Sequence, residues 1–226
     1  MKRSKMHMQQ SVFEKTISDV KRIEPLEGVC LTGLGETLLD PLIIERLEIV
    51  RKELGNVPLT IFTNGTNLDK YLPDLLRLEV NNIMISANAL KIYNGVWLDA
   101  VKKSNEKTKI TVSLIVDWGM MDMCDVEEMK KAYPPENFFL HLVGNWTGKI
   151  FDLKFKPTRA CHRPFNFAHV LVDGRVALCC FDSEGDVILG NDLIEALAGD
   201  KLKFYQEMMA SGKRFELPLC GNCSTI

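Results

Sequence analysis

Gly28-Val29-Cys30-Leu31-Thr32, then Gly33-Leu34-Gly35-Glu36, then Asp40-Pro41: the reading of the fold turns on this stretch. The first five residues are a short apolar run between turn signals and read as a buried strand. The glycine-rich four that follow read as a turn. Asp40 and Pro41 read as the start of a helix. An Asp side chain accepts the orphan N–H groups of a first helical turn, and Pro there has no N–H to leave unpaired. Ile44, Leu47, Val50 and Leu54 recur at helical spacing, and Gly55 ends the run.

The same unit recurs downstream. Residues 59–63 read as a strand and Asn64-Gly65 as a turn, and a helix from Asn67 carries Leu68, Leu72 and Leu75. Residues 82–86 form the next strand and 92–104 the next helix. Residues 110–116 are a strand rich in β-branched side chains. Asp125 and Glu128 make a capping box for a helix that stops before Pro134-Pro135, and 138–143 is the last strand. This alternation implies an α/β fold, with a parallel sheet and helices outside it. A helix at 11–23, capped by Ser11, precedes the first strand, which suggests that a strand is missing on its N-terminal side. The expectation is an incomplete (β/α)6 TIM-like partial barrel over residues 1–153, missing its first strand. Barrels of this kind gather ligand contacts at the C-terminal ends of their strands. Those ends here are polar and glycine-rich: Gly33 to Glu36, Thr63-Asn64-Gly65, Ser86-Ala87-Asn88, Asp117-Trp118 and Gly144-Asn145-Trp146.

From Lys154 the texture changes, and residues 154–226 read as a second, small domain of β-hairpin plus helix. Residues 170–178 read as a hairpin with a two-residue Asp173-Gly174 turn. Residues 187–189 offer a third strand, and 191–211 are helical with a break near Gly199. Such a tail is too small for an independent core and is expected to depend on a metal. It holds Cys161, the adjacent pair Cys179 and Cys180, and Cys220-Gly-Asn-Cys223. A C-x₂-C knuckle with two distant cysteines is ligand spacing for zinc or for an iron–sulfur cluster.

Composition bounds the function. The chain has 226 residues, 46% hydrophobic and 26% charged, as in an ordinary globule. Its net charge of −2, without an extended basic block, argues against a nucleic-acid partner. No apolar run reaches the length of a membrane span, and the basic, polar start MKRSKMHMQQ is not a signal peptide. The expected compartment is the cytoplasm, where seven cysteines point to metal binding rather than disulfides.

The residues together resemble a radical S-adenosylmethionine enzyme with a twitch domain, the shortened form of the SPASM domain. Gly33, Leu34, Gly35 and Glu36 are similar to that family's GGE motif, which contacts the amino group of S-adenosylmethionine. Asn64, in Thr63-Asn64-Gly65, and Ser86 sit at strand ends where the family places cofactor contacts. The C-x₁₂-G-x₄-C run from Cys161 to Cys179 and the closing C-x₂-C fit the twitch pattern. The resemblance thus implies one auxiliary [4Fe–4S] cluster on Cys161, Cys179, Cys220 and Cys223. The G-x₄-C spacing selects Cys179 over Cys180, and adjacent strand residues face opposite ways. The family's C-x₃-C-x₂-C run, which holds the cluster that cleaves S-adenosylmethionine, is not in this sequence.

The resulting expectation is an N-terminally incomplete radical protein, with S-adenosylmethionine as cofactor only when the missing segment is supplied. The complete form would modify a small-molecule or peptide substrate, a sugar-like alcohol for example, through a 5′-deoxyadenosyl radical. The alternative is a non-catalytic iron–sulfur or zinc-stapled scaffold. The sheet edge beside residues 28–32 is expected to take an N-terminal complement or to self-associate. No catalytic residue is identified. Cys30 is expected to be a buried core thiol, Cys124 a loop thiol and His141 a packed histidine.

Overall fold

The computed structural model describes residues 6–32, 35–88, 95–116, 131, 133–142, 144–149, 157, 159–182 and 184–224. They form two compact units, one of residues 24–143 and one that joins residues 1–23 to 144–226. The division expected at 153/154 from the change of texture thus stands against one at 143/144.

The first unit is a five-stranded parallel sheet in sequence order: β1 (Val29–Leu31), β2 (Leu59–Thr63), β3 (Asn82–Asn88), β4 (Lys109–Val116) and β5 (Phe138–Leu142). Helices α2 (Ile43–Leu54), α3 (Leu68–Arg77) and α4 (Gly95–Val101) are its connections. The register aligns Leu31, Ile61, Ile83 and Ile110 in one row. Side chains alternate along a strand, so Leu59, Ile61 and Thr63 share a face with Ile83, Ile85, Ile110 and Val112, and all of them are buried. The helices bury Leu47, Val50, Leu68, Leu72, Leu75 and Trp97. The opposite face is more polar. Its rows include Phe62–Met84–Thr111 and Ser86–Ser113–Phe139.

Arg51 stitches the N-terminal ends of the strands. Its guanidinium donates to Val57 O (2.7 Å), Leu78 O (2.9 Å) and Glu79 O (2.6 Å). Asn81 Oδ1 accepts from both Arg51 and Leu59 N. Burial lowers the pKa of Arg51, against the opposing pull of Glu79.

Several local expectations are corrected. Helix α2 starts at Ile43, not Asp40, because Thr37–Leu39 first forms a 3₁₀ turn. Asp40 still anchors the start by accepting from Leu42 N (3.0 Å) and pairing with Arg46 (2.5 Å). Helix α3 starts at Leu68, and Asn67 just before it adopts φ 60° and donates to Leu38 O. Cys30 is exposed rather than buried, since β1 is an edge strand and Cys30 lies on the polar face in register with Thr60. His141, on the same face at the β5 edge, is exposed too. Gly33, Leu34, Asp117, Trp118, Met120, Met121, Met123, Cys124 and the Asp125–Glu128 capping box lie outside the described residues.

The second unit opens with α1 (Gln10–Val20), which has no side-chain cap at Gln9, so Ser11 is not its cap. Val20 and Ile23 pack on Val176, Leu193 and Ala196, so the helix belongs with the C-terminal region. There, α5 (Arg163–Asn166) leads into an antiparallel sheet of β6 (His169–Val170), β7 (Val176–Ala177) and β8 (Ile188–Gly190). The β6–β7 loop has three residues, not two. Leu171 N bonds to Arg175 O, Gly174 N bonds to Leu171 O, and Gly174 takes φ +87°. A turn that ends in a left-handed residue needs glycine at that place, one later than an Asp-Gly pair would put it. Helices α6 (Leu193–Ala198) and α7 (Asp200–Ala210) break at Gly199, as expected. Asp192 caps α6 by accepting from Glu195 N (2.9 Å). Among the described residues no helix is long and apolar enough to cross a membrane.

Candidate metal centre

Cys161 sits just before α5, Cys179 follows β7, and Cys220 and Cys223 flank the 3₁₀ turn Cys220–Asn222. These segments are far apart in sequence, yet all four thiols are buried and line one cavity of about 20 Å³. Thr147, Arg163, Phe181, Met209 and Arg214 complete its wall. Cys180 is not part of the lining. It is half-buried, and its Sγ accepts a hydrogen bond from Arg163 Nη1 at 3.1 Å. Both cysteines lie beyond the end of β7, so the turn that follows the strand, and not the alternation expected of a strand, sets them apart.

Three polar side chains shape the walls, and none was singled out for this role in the sequence. Arg214 is buried and donates to the carbonyls of Cys220 (3.2 Å), Cys223 (2.7 Å) and Arg159 (3.3 Å). Asn145 is fully buried and clasps the knuckle in both directions. Its Nδ2 donates to Asn222 O, its Oδ1 accepts from Ser224 N, and its N–H donates to Ser224 Oγ, each at 2.8 Å. Asp182 is fully buried and accepts from Asp186 N (2.9 Å) and Val187 N (2.8 Å), closing the loop between Cys180 and β8. Arg214 has no sequence signature, because its acceptors are carbonyls that every residue owns. Asn145 was visible only as a strand-end residue. His162 is exposed, its ring edge-on to Phe167.

Burial pushes the Cys179 thiol up to about 11, with Cys180 and Cys223 adding in the same direction. Burial likewise pushes Cys220 up to about 12, with Cys179, Cys223 and Cys161 adding and Arg214 opposing. Thiols of this kind are weak nucleophiles at neutral pH. They suit a site whose occupant brings positive charge, because coordination deprotonates a thiol outright.

Two observations bear on which occupant the residues fit. Arg163 Nε is a buried N–H without a hydrogen-bond partner, on a side chain that walls the cavity. Such a donor fits an acceptor seated there, and inorganic sulfide is one. Four buried thiols also line the one cavity, a number that supplies one thiolate to each iron of a four-iron cluster. The donor set fits a four-thiolate cluster.

The other predicted site divides. Glu36, Thr63 and Asn64 come together, although β1 and β2 deliver them. Glu36 Oε1 accepts from Thr63 Oγ1 (2.5 Å) and Leu38 N (2.9 Å), and Oε2 accepts from Asn64 N (2.6 Å). Asn64 Oδ1 in turn accepts from Thr66 N (2.9 Å). Gly65 has a packing reason of its own: a Cβ there would fall 2.0 Å from Trp97 Nε1, and its φ is +84°. Gly35 is exposed. Ser86 stands on the polar face of β3, in register with Ser113.

The SPASM family model, described as an iron-sulfur cluster-binding domain, matches residues 161–224, the span that holds all four cysteines. The FeMo cofactor biosynthesis protein NifB of Methanocaldococcus infernus is 25% identical over a 142-residue alignment that takes in 50% of this chain and 47% of that protein. The chain therefore spans about half the length of that curated relative. In fold it is similar to BtrN in complex with AdoMet and 2-DOIA (TM-score 0.72, 17% identity, 99% of this chain and 83% of that one). It is also similar to selenomethionine BtrN in an open conformation (TM-score 0.62, 16% identity, 97% and 81%). Residues 161–224, with their cysteine-lined cavity, thus match an iron–sulfur cluster-binding domain, and the fold of the chain is similar to that of BtrN.

Proposed function

We propose that Cys161, Cys179, Cys220 and Cys223 hold one auxiliary [4Fe–4S] cluster, and that the chain serves a radical modification of a small-molecule or peptide substrate. The observation that carries this reading is the convergence of four sequence-distant buried thiols on one cavity within the SPASM-matched segment. Four thiolates close all four irons of such a cluster, so this centre conducts electrons or orients substrate rather than binding S-adenosylmethionine. Reductive cleavage of S-adenosylmethionine to a 5′-deoxyadenosyl radical needs an iron with an open position. Residues 1–226 contain no C-x₃-C-x₂-C run that would leave one. That second cluster would come from a segment carrying such a run, and the Glu36–Asn64 end of the sheet would then face S-adenosylmethionine. The arrangement resembles that of 2-deoxy-scyllo-inosamine dehydrogenase, which makes a sugar-like alcohol the first substrate class to try.

The test is anaerobic reconstitution of residues 1–226 with iron and sulfide. The expected result is about four iron per chain and no 5′-deoxyadenosine from S-adenosylmethionine and dithionite. Adding a segment with C-x₃-C-x₂-C should then start its release. Preferential binding of one zinc, or nucleoside release by residues 1–226 alone, would overturn the reading. One observation favours a second reading, a non-catalytic iron–sulfur scaffold. The Glu36 carboxylate, expected to meet the cofactor's amino group, is already engaged by three donors of its own chain. Failure of the supplemented protein to release 5′-deoxyadenosine would favour that scaffold.

A further inference from the structure

Arg214 is 1% exposed, and its recorded acceptors are three backbone carbonyls, with no carboxylate among its ion pairs in the described residues. A guanidinium taken out of water without a counter-ion is strongly destabilising. Carbonyls satisfy its hydrogen bonds but not its charge. Arg214 lines the same cavity as the four sulfurs. A cluster with two positive charges on its iron–sulfide core and four thiolates carries a net charge of about −2. A buried cation thus lines the site of a buried anionic centre, with the half-buried Arg163 as a second guanidinium on the same wall.

Building on the proposed cluster, we infer that Arg214 is its built-in counter-charge. It is a positioning residue that also holds the reduction potential of the centre up. Two roles meet in one side chain. The planar fork ties Cys220 and Cys223, the two ends of the knuckle, to Arg159, two residues before Cys161. Only an arginine presents donors to three carbonyls at once from one rigid plane. The fixed positive charge stabilises the more negative, reduced form of the cluster, and net charge around a cluster is one of the terms that set its potential. A lysine keeps the charge and loses the fork; a glutamine loses the charge and most of the fork.

The test compares wild type, R214K and R214Q after anaerobic reconstitution. Iron per chain and the midpoint potential of the visible band are measured, with far-UV circular dichroism to confirm folding. The expected order of iron loading is wild type, then R214K, then R214Q. The potential of R214K should lie near that of wild type, while R214Q shifts clearly negative. An R214Q centre with the wild-type potential would overturn the inference. If R214Q does not load, R214K decides: loading at the wild-type potential supports the charge role. Loss of loading in both variants overturns it, since the fork alone would then matter. A wild type that takes up no iron would instead refute the cluster itself, and the two failures are told apart in the first measurement.

Discussion

The two units of this chain are held together in different ways. In residues 24–143 the rows across the sheet are almost wholly aliphatic on the buried face, with Leu31, Ile61, Ile83 and Ile110 side by side and the helices burying leucines of their own. In the cysteine unit the strands are two or three residues long. Its fully buried side chains include Asn145, Asp182 and Arg214, each bonded to backbone groups of a loop or turn. The first unit is ordered by burial, whose contributions add over many residues. The second has smaller apolar clusters and adds a few polar clasps around a group of thiols, so single residues there should matter far more to the site than to the rest of the fold.

The largest expected effect tests that asymmetry. Cys223→Ala should abolish cluster loading, because the fourth iron loses its thiolate and the knuckle its closure. Cys180→Ala should leave loading near wild type, since Cys180 does not line the cavity. Iron analysis after reconstitution is the measurement. Loss with Cys180→Ala and retention with Cys179→Ala would reverse the ligand assignment. Next in size is Leu47→Ala in the sheet unit, where Leu47 has no exposed surface. It should destabilise that unit by about 2–5 kcal/mol through lost burial and a residual cavity. Iron per chain should not change. Peptide-resolved hydrogen exchange would locate the loss, and reduced loading in this variant would break the separation between the units.

These differences also set what could be read from the sequence. The sheet unit was legible because its signals are local and redundant. Strand runs, turn glycines and leucines at helical spacing agree, and an error in one cap, as at Asp40, moves the cap by two residues, to Leu42, without changing the topology. The four thiols were legible because few residue types bind metals and their spacing is distinctive. The clasps were not, since an arginine that binds three carbonyls leaves no pattern in the sequence. The grouping of α1 with the C-terminal region was hidden for a related reason. An amphipathic helix declares that it has a partner but not which one. Cys30 was misplaced because a three-residue edge strand exposes one face that an apolar run does not reveal.

A third and smaller effect follows from the thiols. In the metal-free chain Cys179 and Cys220 titrate at about 11 and about 12 rather than at the ordinary 9.0. Their folded values lie above the unfolded ones, so the folded state binds more protons between those limits. Stability is therefore unaffected below pH 9 and falls as pH rises through the folded values. By pH 10 the loss should be on the order of 1 kcal/mol for each thiol. It should appear as earlier exchange in residues 161–223 of the metal-free chain. A cluster-loaded chain should show no such slope, because its thiols are no longer free to titrate.

The smallest expected effect falls on a polar clasp within the sheet unit, at the strand ends opposite Arg51. Glu36 spans the ends of β1 and β2, with both carboxylate oxygens taken by Thr63, Asn64 and Leu38. Glu36→Gln keeps the shape but leaves one carbonyl oxygen to accept from three donors, and its amide turns a donor toward another donor. Loss of one hydrogen bond to a charged acceptor should destabilise by about 1–3 kcal/mol, toward the low end at this half-buried position. If Glu36 is only a clasp, S-adenosylmethionine binding to the protein supplemented with a C-x₃-C-x₂-C segment should fall no more than the small stability loss explains. If the carboxylate also takes the cofactor's ammonium on the lone pair left on Oε2, affinity should drop at least tenfold while the melting point barely moves. Titration calorimetry and thermal melts on the same samples separate the two outcomes. The tenfold loss would give the sheet unit a chemical role like that of the cysteine unit. Its absence would leave Glu36 as the clasp that orders the strand-end loops.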